Sequence, residues 1–209
     1  MICIPIVGPN QHKSLEDIAT AEPLADILEL RLDLMSDYDL DGLLAASTKP
    51  SIVTNRTKRE GGQFSGSEEE RIEVLKQAIV AGAEYVDIET STPKELLKPF
   101  LESEHNSKVI LSYHNFTDTP EEIEHLYDLM CGMPADILKI VTYARDINNN
   151  LSLFNLIHRS KKDGKKLIAL CMGEKGEVSR ILSPLLGAFL TFGSLETGKE
   201  TAPGQITGT

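Results

Sequence analysis

The stretch ADILKIVTYA (residues 135–144) places one lysine, Lys139, in the middle of an apolar, β-branched run that is typical of a buried strand. Burying an ammonium group without a partner is costly, so a buried lysine either pairs with a carboxylate or tends to lose its proton. A neutral lysine amine is a nucleophile at neutral pH. The stretch therefore leaves two interpretations open, a nucleophilic amine and an ion-paired core residue.

Seven other short runs rich in Ile, Val and Leu accompany this one, with helical patterns between them. Together they predict eight strands, at residues 2–8, 26–34, 51–56, 84–90, 108–116, 136–144, 166–172 and 188–195. Because strands and helices alternate throughout, the chain is expected to form a single α/β domain over residues 1–209 with a parallel sheet. Eight such units favour a (β/α)₈ TIM barrel.

Local signals support helices between the predicted strands. Ser67 is a candidate N-cap for a helix over residues 67–82, with acidic residues in its first turn. Thr119 and Pro120 are expected to open the helix of the segment 117–132, with Pro120 at the first helical position. After the eighth strand the sequence ETGKETAPGQITGT leaves no room for a closing eighth helix, whose absence is expected to loosen the barrel seam.

A doubly wound open sheet is the alternative to the barrel. Its strands are buried on both faces and read as nearly continuous apolar runs. Several predicted strands here carry charged or titratable residues instead: Glu29, Arg31, Arg56, His114 and Lys139. A barrel lumen that opens into an active site accommodates such residues, so we favour the barrel.

Composition narrows the classes of protein. The formal net charge of −11 argues against a nucleic-acid-binding surface, although a few converging arginines still suit a small anion. Three widely separated cysteines indicate neither a disulfide framework nor a zinc site. No apolar stretch approaches the ~18 residues of a membrane span, and no basic segment precedes the first apolar run. We therefore expect a cytoplasmic location.

Polar residues gather where the strands of a barrel would end, which is where barrel enzymes carry their catalytic groups. Side chains two apart on a strand share a face, so Glu29 and Arg31 point the same way, as do Ser112 and His114. The candidate set has one amine, one imidazole, two carboxylates and three arginines: Lys139, His114, Glu29, Glu60, Arg31, Arg56 and Arg180. Each alone has a structural explanation, such as a core ion pair or a surface arginine. Together they suit imine chemistry on an anionic carbonyl compound.

Six motifs resemble those of the type I 3-dehydroquinate dehydratases, in the family's order and over almost the whole chain. They are ELRLDL (29–34), TNRTKREGG (54–62), SYHNF (112–116), ILKIV (137–141), MGEKGEVSR (172–180) and APGQI (202–206). Singly each is weak, whereas six in sequence are specific. The resemblance implies a (β/α)₈ barrel and the dehydration of 3-dehydroquinate to 3-dehydroshikimate in the shikimate pathway, which serves aromatic amino acid biosynthesis.

The resemblance also implies roles. Lys139 would form an imine with the substrate ketone, His114 would act as general base and acid, and Glu60 would orient His114. Six residues would bind substrate: Glu29, Arg31, Arg56, Arg180, Thr201 and Gln205. Position 201 is usually serine in this family, and threonine keeps the hydroxyl. The expected chemistry uses neither a metal nor a diffusible cofactor, and the lysine amine is expected to be kept neutral by the apolar Ile137, Ile140 and Val141 and by the cations Arg56 and His114.

Two alternatives remain at the level of sequence. A class I aldolase also uses a barrel lysine, but it commonly needs a phosphate-binding loop after strands seven and eight, for which TAPGQITGT is poorly suited. A catalytically impaired binding domain of a truncated fusion protein is the other. For this family a homodimer would be unsurprising, and some members are fused to shikimate dehydrogenase.

Overall fold

The computed structural model describes residues 1–207 and contains eight parallel strands that alternate with seven helices. The strands are β1 (Ile2–Ile6), β2 (Ile27–Arg31), β3 (Ser51–Thr54), β4 (Tyr85–Glu89), β5 (Lys108–His114), β6 (Ile137–Tyr143), β7 (Lys166–Met172) and β8 (Thr191–Ser194), followed by a two-residue strand, β9 (Ile206–Thr207). The helices are α1 (Gln11–Ala21), α2 (Leu40–Ala45), α3 (Glu68–Val80), α4 (Lys94–Glu102), α5 (Ile123–Cys131), α6 (Asn149–Lys162) and α7 (Glu177–Leu186).

The strands form one curled parallel sheet in the order β7-β6-β5-β4-β3-β2-β1-β8-β9. Because β1 pairs with both β2 and β8, the sheet wraps into the predicted barrel. No strand ladder joins β7 to β8 within residues 1–207. Single backbone hydrogen bonds bridge this seam instead, from the Phe189 N–H to the Leu167 carbonyl at 2.8 Å and from the Gly173 N–H to the Pro203 carbonyl at 3.0 Å. The described chain after β8 contains no helix, as predicted.

Alternation along the strands sorts the side chains into two apolar layers. Leu28 and Leu30 face outward and pack in a large cluster between sheet and helices. Ile27, two residues from Glu29, faces inward. It belongs to a smaller cluster that fills the barrel floor: Cys3, Ile27, Ile52, Tyr85, Ile110, Ile137, Ile168, Leu170, Leu190 and Phe192. The next inward position above this floor is Glu29 on β2 and Lys139 on β6, so polar side chains begin where the floor ends.

Of two local predictions about where helices begin, one is confirmed and one is wrong. Ser67 is the N-cap of α3, as predicted, and it forms a full capping box: the Ser67 hydroxyl accepts from the Glu70 N–H, and the Glu70 carboxylate accepts from the Ser67 N–H. The prediction that Pro120 begins α5 is wrong, because α5 begins at Ile123. The Thr119 hydroxyl donates to the Tyr143 carbonyl of β6 at 3.1 Å, which ties this segment to the sheet and delays the helix.

Within residues 1–207, none of the helices has the length and apolar character that a membrane crossing requires.

Candidate active site

All nine candidate site residues line a single cavity at the carboxyl ends of the strands. Six of them come from β2, the loop after β3, β5 and β6: Glu29, Arg31, Arg56, Glu60, His114 and Lys139. Arg180 comes from α7, and Thr201 and Gln205 come from the loop that follows β8. Apolar side chains complete the wall, among them Val141, Leu170, Met172 and Phe192.

Lys139 is buried and faces two carboxylates. Its Nζ lies 2.9 Å from Asp87 Oδ2 and 3.6 Å from Glu29 Oε1. The same Nζ sits 4.5 Å from the centroid of the Phe192 ring, in cation–π contact. The predicted surroundings of the Lys139 amine are therefore wrong in part. Ile140, expected beside the amine, packs in the outer apolar cluster, and the charged groups nearest to the amine are carboxylates rather than cations.

Asp87 lies at the centre of the polar layer, the group of buried polar side chains above the barrel floor, and it was not among the residues predicted from the sequence. Its Oδ2 accepts from Arg56 at 2.8 Å as well as from Lys139, and its Oδ1 accepts from the Ser112 hydroxyl at 2.6 Å. Burial alone would raise the pKa of this carboxyl, but the neighbouring Arg56 and Lys139 hold the pKa of Asp87 well below its usual range. Asp87 is therefore a fixed negative charge beneath the cavity.

Glu89 and Arg71 extend this layer through the barrel wall. Arg56 donates to Glu89 Oε1 at 2.9 Å, and Arg71, fully buried on α3, donates to the other oxygen of Glu89. Arg71 also donates to Glu68 Oε2 and to the Thr92 hydroxyl at 2.7 Å. Glu89 thus couples a helix outside the barrel to an arginine inside it. Asp87 and Glu89 stand two apart in β4, a spacing that could have flagged them as it flagged Glu29 and Arg31.

Glu60 holds His114 by two contacts. Its Oε2 lies 3.0 Å from His114 Nδ1 and accepts from the His114 N–H at 3.1 Å, while its Oε1 accepts from the Ser91 hydroxyl. Burial raises the pKa of Glu60, and burial together with the charges of Arg56 and Lys139 lowers the pKa of His114 well below its ordinary value. The imidazole is therefore neutral near pH 7 and able to accept a proton.

Arg31 is held by Asp33, another residue that was not predicted. The Arg31 Nε and one terminal nitrogen donate to the two oxygens of Asp33 at 2.8 Å each. Asp33 also accepts from the Gln63 N–H at 3.0 Å, which ties the loop after β3 to the segment that follows β2. This bidentate pair fixes the plane of the guanidinium and leaves one terminal nitrogen of Arg31 for the cavity.

Arg180 differs from the other cavity cations because no carboxylate within residues 1–207 forms an ion pair with it. One terminal nitrogen donates to the Pro203 carbonyl at 3.1 Å, and its Nε is buried without a hydrogen-bond partner. Burial lowers the pKa of Arg180 to about 10, so the group stays charged at neutral pH. A buried guanidinium that has no acidic partner and lies at a cavity wall is chemically suited to an anion.

The loop after β8 covers the cavity beside Arg180. Gln205 Oε1 accepts from the Thr201 N–H at 2.7 Å and from the Thr201 hydroxyl at 3.2 Å. Gln205 Nε2 is buried without a partner, so this amide has a free donor at the cavity. Lys199 of the same loop donates to Asp17 of α1 at 2.8 Å and so attaches the loop to the barrel.

Comparison with known proteins agrees with the fold. Residues 2–209 match the family described as "Type I 3-dehydroquinase". A 3-dehydroquinate dehydratase of Methanococcus maripaludis is 40% identical over 210 residues, covering 99% of this chain and 94% of the relative. The crystal structure of a type I 3-dehydroquinate dehydratase from Clostridium difficile, with covalently modified comenic acid, aligns with a TM-score of 0.85 at 25% identity, covering 99% of this chain and 87% of that one.

Another relative is a fusion protein. The bifunctional 3-dehydroquinate dehydratase/shikimate dehydrogenase of Arabidopsis thaliana is 38% identical over 215 residues, which cover 99% of this chain and 35% of the relative. In that protein a dehydratase region of this kind is joined to the second enzyme.

The fold and the cavity define a (β/α)₈-barrel enzyme whose site combines a buried amine, a neutral imidazole and an unpaired arginine. The family match and the relatives identify the particular kind. The chain belongs to the type I 3-dehydroquinase family and is an enzyme, a 3-dehydroquinate dehydratase of type I.

Proposed function

We propose that this enzyme dehydrates 3-dehydroquinate through an imine on Lys139, with His114 transferring the proton. The observation that carries the proposal is the placement of three groups in one cavity: a buried lysine, a neutral imidazole oriented by a carboxylate, and an arginine without an acidic partner. The amine suits a ketone, the imidazole suits a carbon acid, and the arginine suits the substrate carboxylate.

The reaction then runs in four steps. The neutral Lys139 amine adds to the C3 ketone, and loss of water leaves a protonated imine. His114 removes a proton from C2, and the electron pair moves toward the imine nitrogen. The electrons return to expel the C1 hydroxyl, which takes a proton from His114 and leaves as water. Hydrolysis of the conjugated imine releases 3-dehydroshikimate and restores the lysine.

The remaining cavity residues position the substrate. Arg180 would hold the carboxylate, and the free amide donor of Gln205, with Thr201 beside it, would close over the same end. Arg31 would reach a substrate hydroxyl with its remaining nitrogen. Arg56 is committed to Asp87, Glu89 and Ser112, so its main role here would be to shape the cavity rather than to bind substrate directly.

The test is mass spectrometry of the protein after borohydride reduction in the presence of 3-dehydroquinate, with an absorbance assay for the conjugated product. The proposal expects an adduct on Lys139 together with product, and neither in Lys139→Met, which keeps an unbranched side chain without the amine. Adduct without product would favour an aldolase-like or impaired enzyme. A Lys139→Met protein that is folded and active would refute the imine mechanism.

A further inference from the structure

Lys139 must lose a proton before it can attack a ketone, and two carboxylates face its Nζ. This need follows from the proposed imine mechanism, on which the inference here rests. The carboxylates are Asp87 at 2.9 Å and Glu29 at 3.6 Å. They differ in how strongly other groups hold their oxygens, and that difference decides which one can take the proton.

Asp87 is fully committed as an acceptor. Besides the lysine it accepts from the charged Arg56 guanidinium at 2.8 Å and from the Ser112 hydroxyl at 2.6 Å. Protonating Asp87 would break a buried ion pair with Arg56 and would leave that guanidinium poorly compensated. Asp87 therefore stays negatively charged and compensates the buried charge of Arg56.

Glu29 accepts fewer hydrogen bonds than Asp87 and has no arginine as an ion-pair partner within residues 1–207. Its Oε1 accepts from the neutral Thr54 hydroxyl at 2.9 Å, and its one ion pair within residues 1–207 is the longer one with Lys139. Glu29 also lines the cavity together with Lys139, whereas Asp87 is not among the lining residues. Protonating Glu29 leaves both the Thr54 contact and the Arg56–Asp87 pair intact.

We infer that Glu29 is the proton acceptor that activates Lys139 and the proton donor that completes imine formation. The Lys139 ammonium gives one proton to the Glu29 carboxylate, and the resulting neutral amine adds to the ketone carbon. Proton shift within the adduct gives a carbinolamine. The Glu29 carboxylic acid then returns its proton to the carbinolamine hydroxyl, the C–O bond breaks, and water leaves. Glu29 ends as a carboxylate beside a protonated imine, so protons and charge balance.

The surroundings of Glu29 fit this exchange. The charged and titratable groups around Glu29 come from several strands and from the loop after β3: Cys3, Arg31, Arg56 and Lys139, with Asp87 on the same Lys139 amine. The two arginines are both paired, with Asp33 and with Asp87 and Glu89, so neither is an ion-pair partner of Glu29. Moving the proton from Lys139 to Glu29 ends the Lys139–Asp87 ion pair, but Asp87 keeps its charged partner Arg56.

The experiment measures imine formation alone, by rapid mixing with 3-dehydroquinate, reduction with borohydride at timed intervals, and intact-mass detection, at several pH values around neutrality. Wild type should form the imine at a rate nearly independent of pH, because the proton is exchanged internally. Glu29→Gln, which keeps the size and polarity, should form it at least about 100-fold more slowly at pH 7, the low end of a positioned proton carrier's contribution. Its rate should rise with pH as hydroxide replaces the missing carboxylate, and Glu29→Asp should restore part of the rate.

Glu84→Gln is the matched control, because it removes a carboxylate that also pairs with a lysine, Lys108, but lies outside the cavity. Its imine formation should stay within a few-fold of wild type. A Glu29→Gln protein, folded by circular dichroism, that forms imine at the wild-type rate and pH profile would overturn the inference. The inference would also be overturned if the rate of imine formation rose with pH in His114→Ala and not in Glu29→Gln, because that result would assign the proton transfer to the imidazole. Absence of any adduct in wild type would refute the proposed function itself, a separate result.

Discussion

Replacing Arg71 by Met removes a cation that sits outside the barrel yet supports its interior. Arg71 is fully buried on α3, and its guanidinium holds one oxygen of Glu89 while Arg56 holds the other. Without Arg71, Glu89 keeps one charged partner instead of two and has almost no access to water, since its side chain is 1% exposed. The change therefore leaves a buried carboxylate half-compensated.

Breaking a buried ion pair by removing one partner costs about 3–5 kcal/mol, and the lower end applies here because Arg56 remains. With a urea dependence of about 2 kcal/mol/M, a loss of about 3 kcal/mol lowers the unfolding midpoint by about 1.5 M. Urea denaturation followed by circular dichroism measures this shift. Adding Glu89→Gln should recover part of the loss, because the double variant no longer buries an under-compensated charge.

Arg159→Met is the matched control, since Arg159 also sits on a helix among acidic partners, Asp128 and Asp163. Its side chain is 38% exposed, so its removal should leave the midpoint nearly unchanged. A midpoint for Arg71→Met within error of the Arg159→Met value would refute the reasoning. Strict additivity with Glu89→Gln would do so as well.

Three other outcomes are expected. Arg180→Ala should raise KM about 100-fold, the effect of losing one partner of a buried charged pair, and an unchanged KM in steady-state kinetics would count against the carboxylate role. Burial and two neighbouring cations lower the pKa of His114. Below a pH of about 6.5 the unfolded chain therefore binds a proton on this histidine that the folded chain does not, and the free energy of unfolding falls as the pH drops through that value. His114→Ala should therefore flatten the unfolding free energy against pH between about 7 and 5, by up to about 1.4 kcal/mol per pH unit; equal slopes in urea titrations would contradict this. Lys199→Met should raise KM several-fold by freeing the loop from Asp17, whereas Lys13→Met, on the same carboxylate at 3.4 Å, should not.

The sequence alone predicts the barrel and its candidate residues because both depend on local spacing. Strand–helix alternation is visible in one dimension, and a period of two assigns each strand residue to a face. Glu29 and Arg31, and likewise Lys139 on its own strand, interrupt apolar runs on the inward face, so their presence in one cavity follows once the barrel is assumed. The six motifs added the family, which the comparisons confirm.

Only the tertiary structure shows which charges meet. Lys139 and Asp87 are 52 positions apart, and Arg56 and Asp87 are 31 apart, so their contacts depend on how neighbouring strands are staggered as the sheet closes. In the sequence Arg71 follows three acidic residues of a helix and has no other distinguishing feature. In the structure its side chain points toward the barrel and donates to Glu89. Strand spacing decides which face a side chain occupies, but its height in the barrel and its ion-pair partner are set by long-range register. For that reason the candidate residues could be read from the sequence, whereas the charge pairing that surrounds the amine could not.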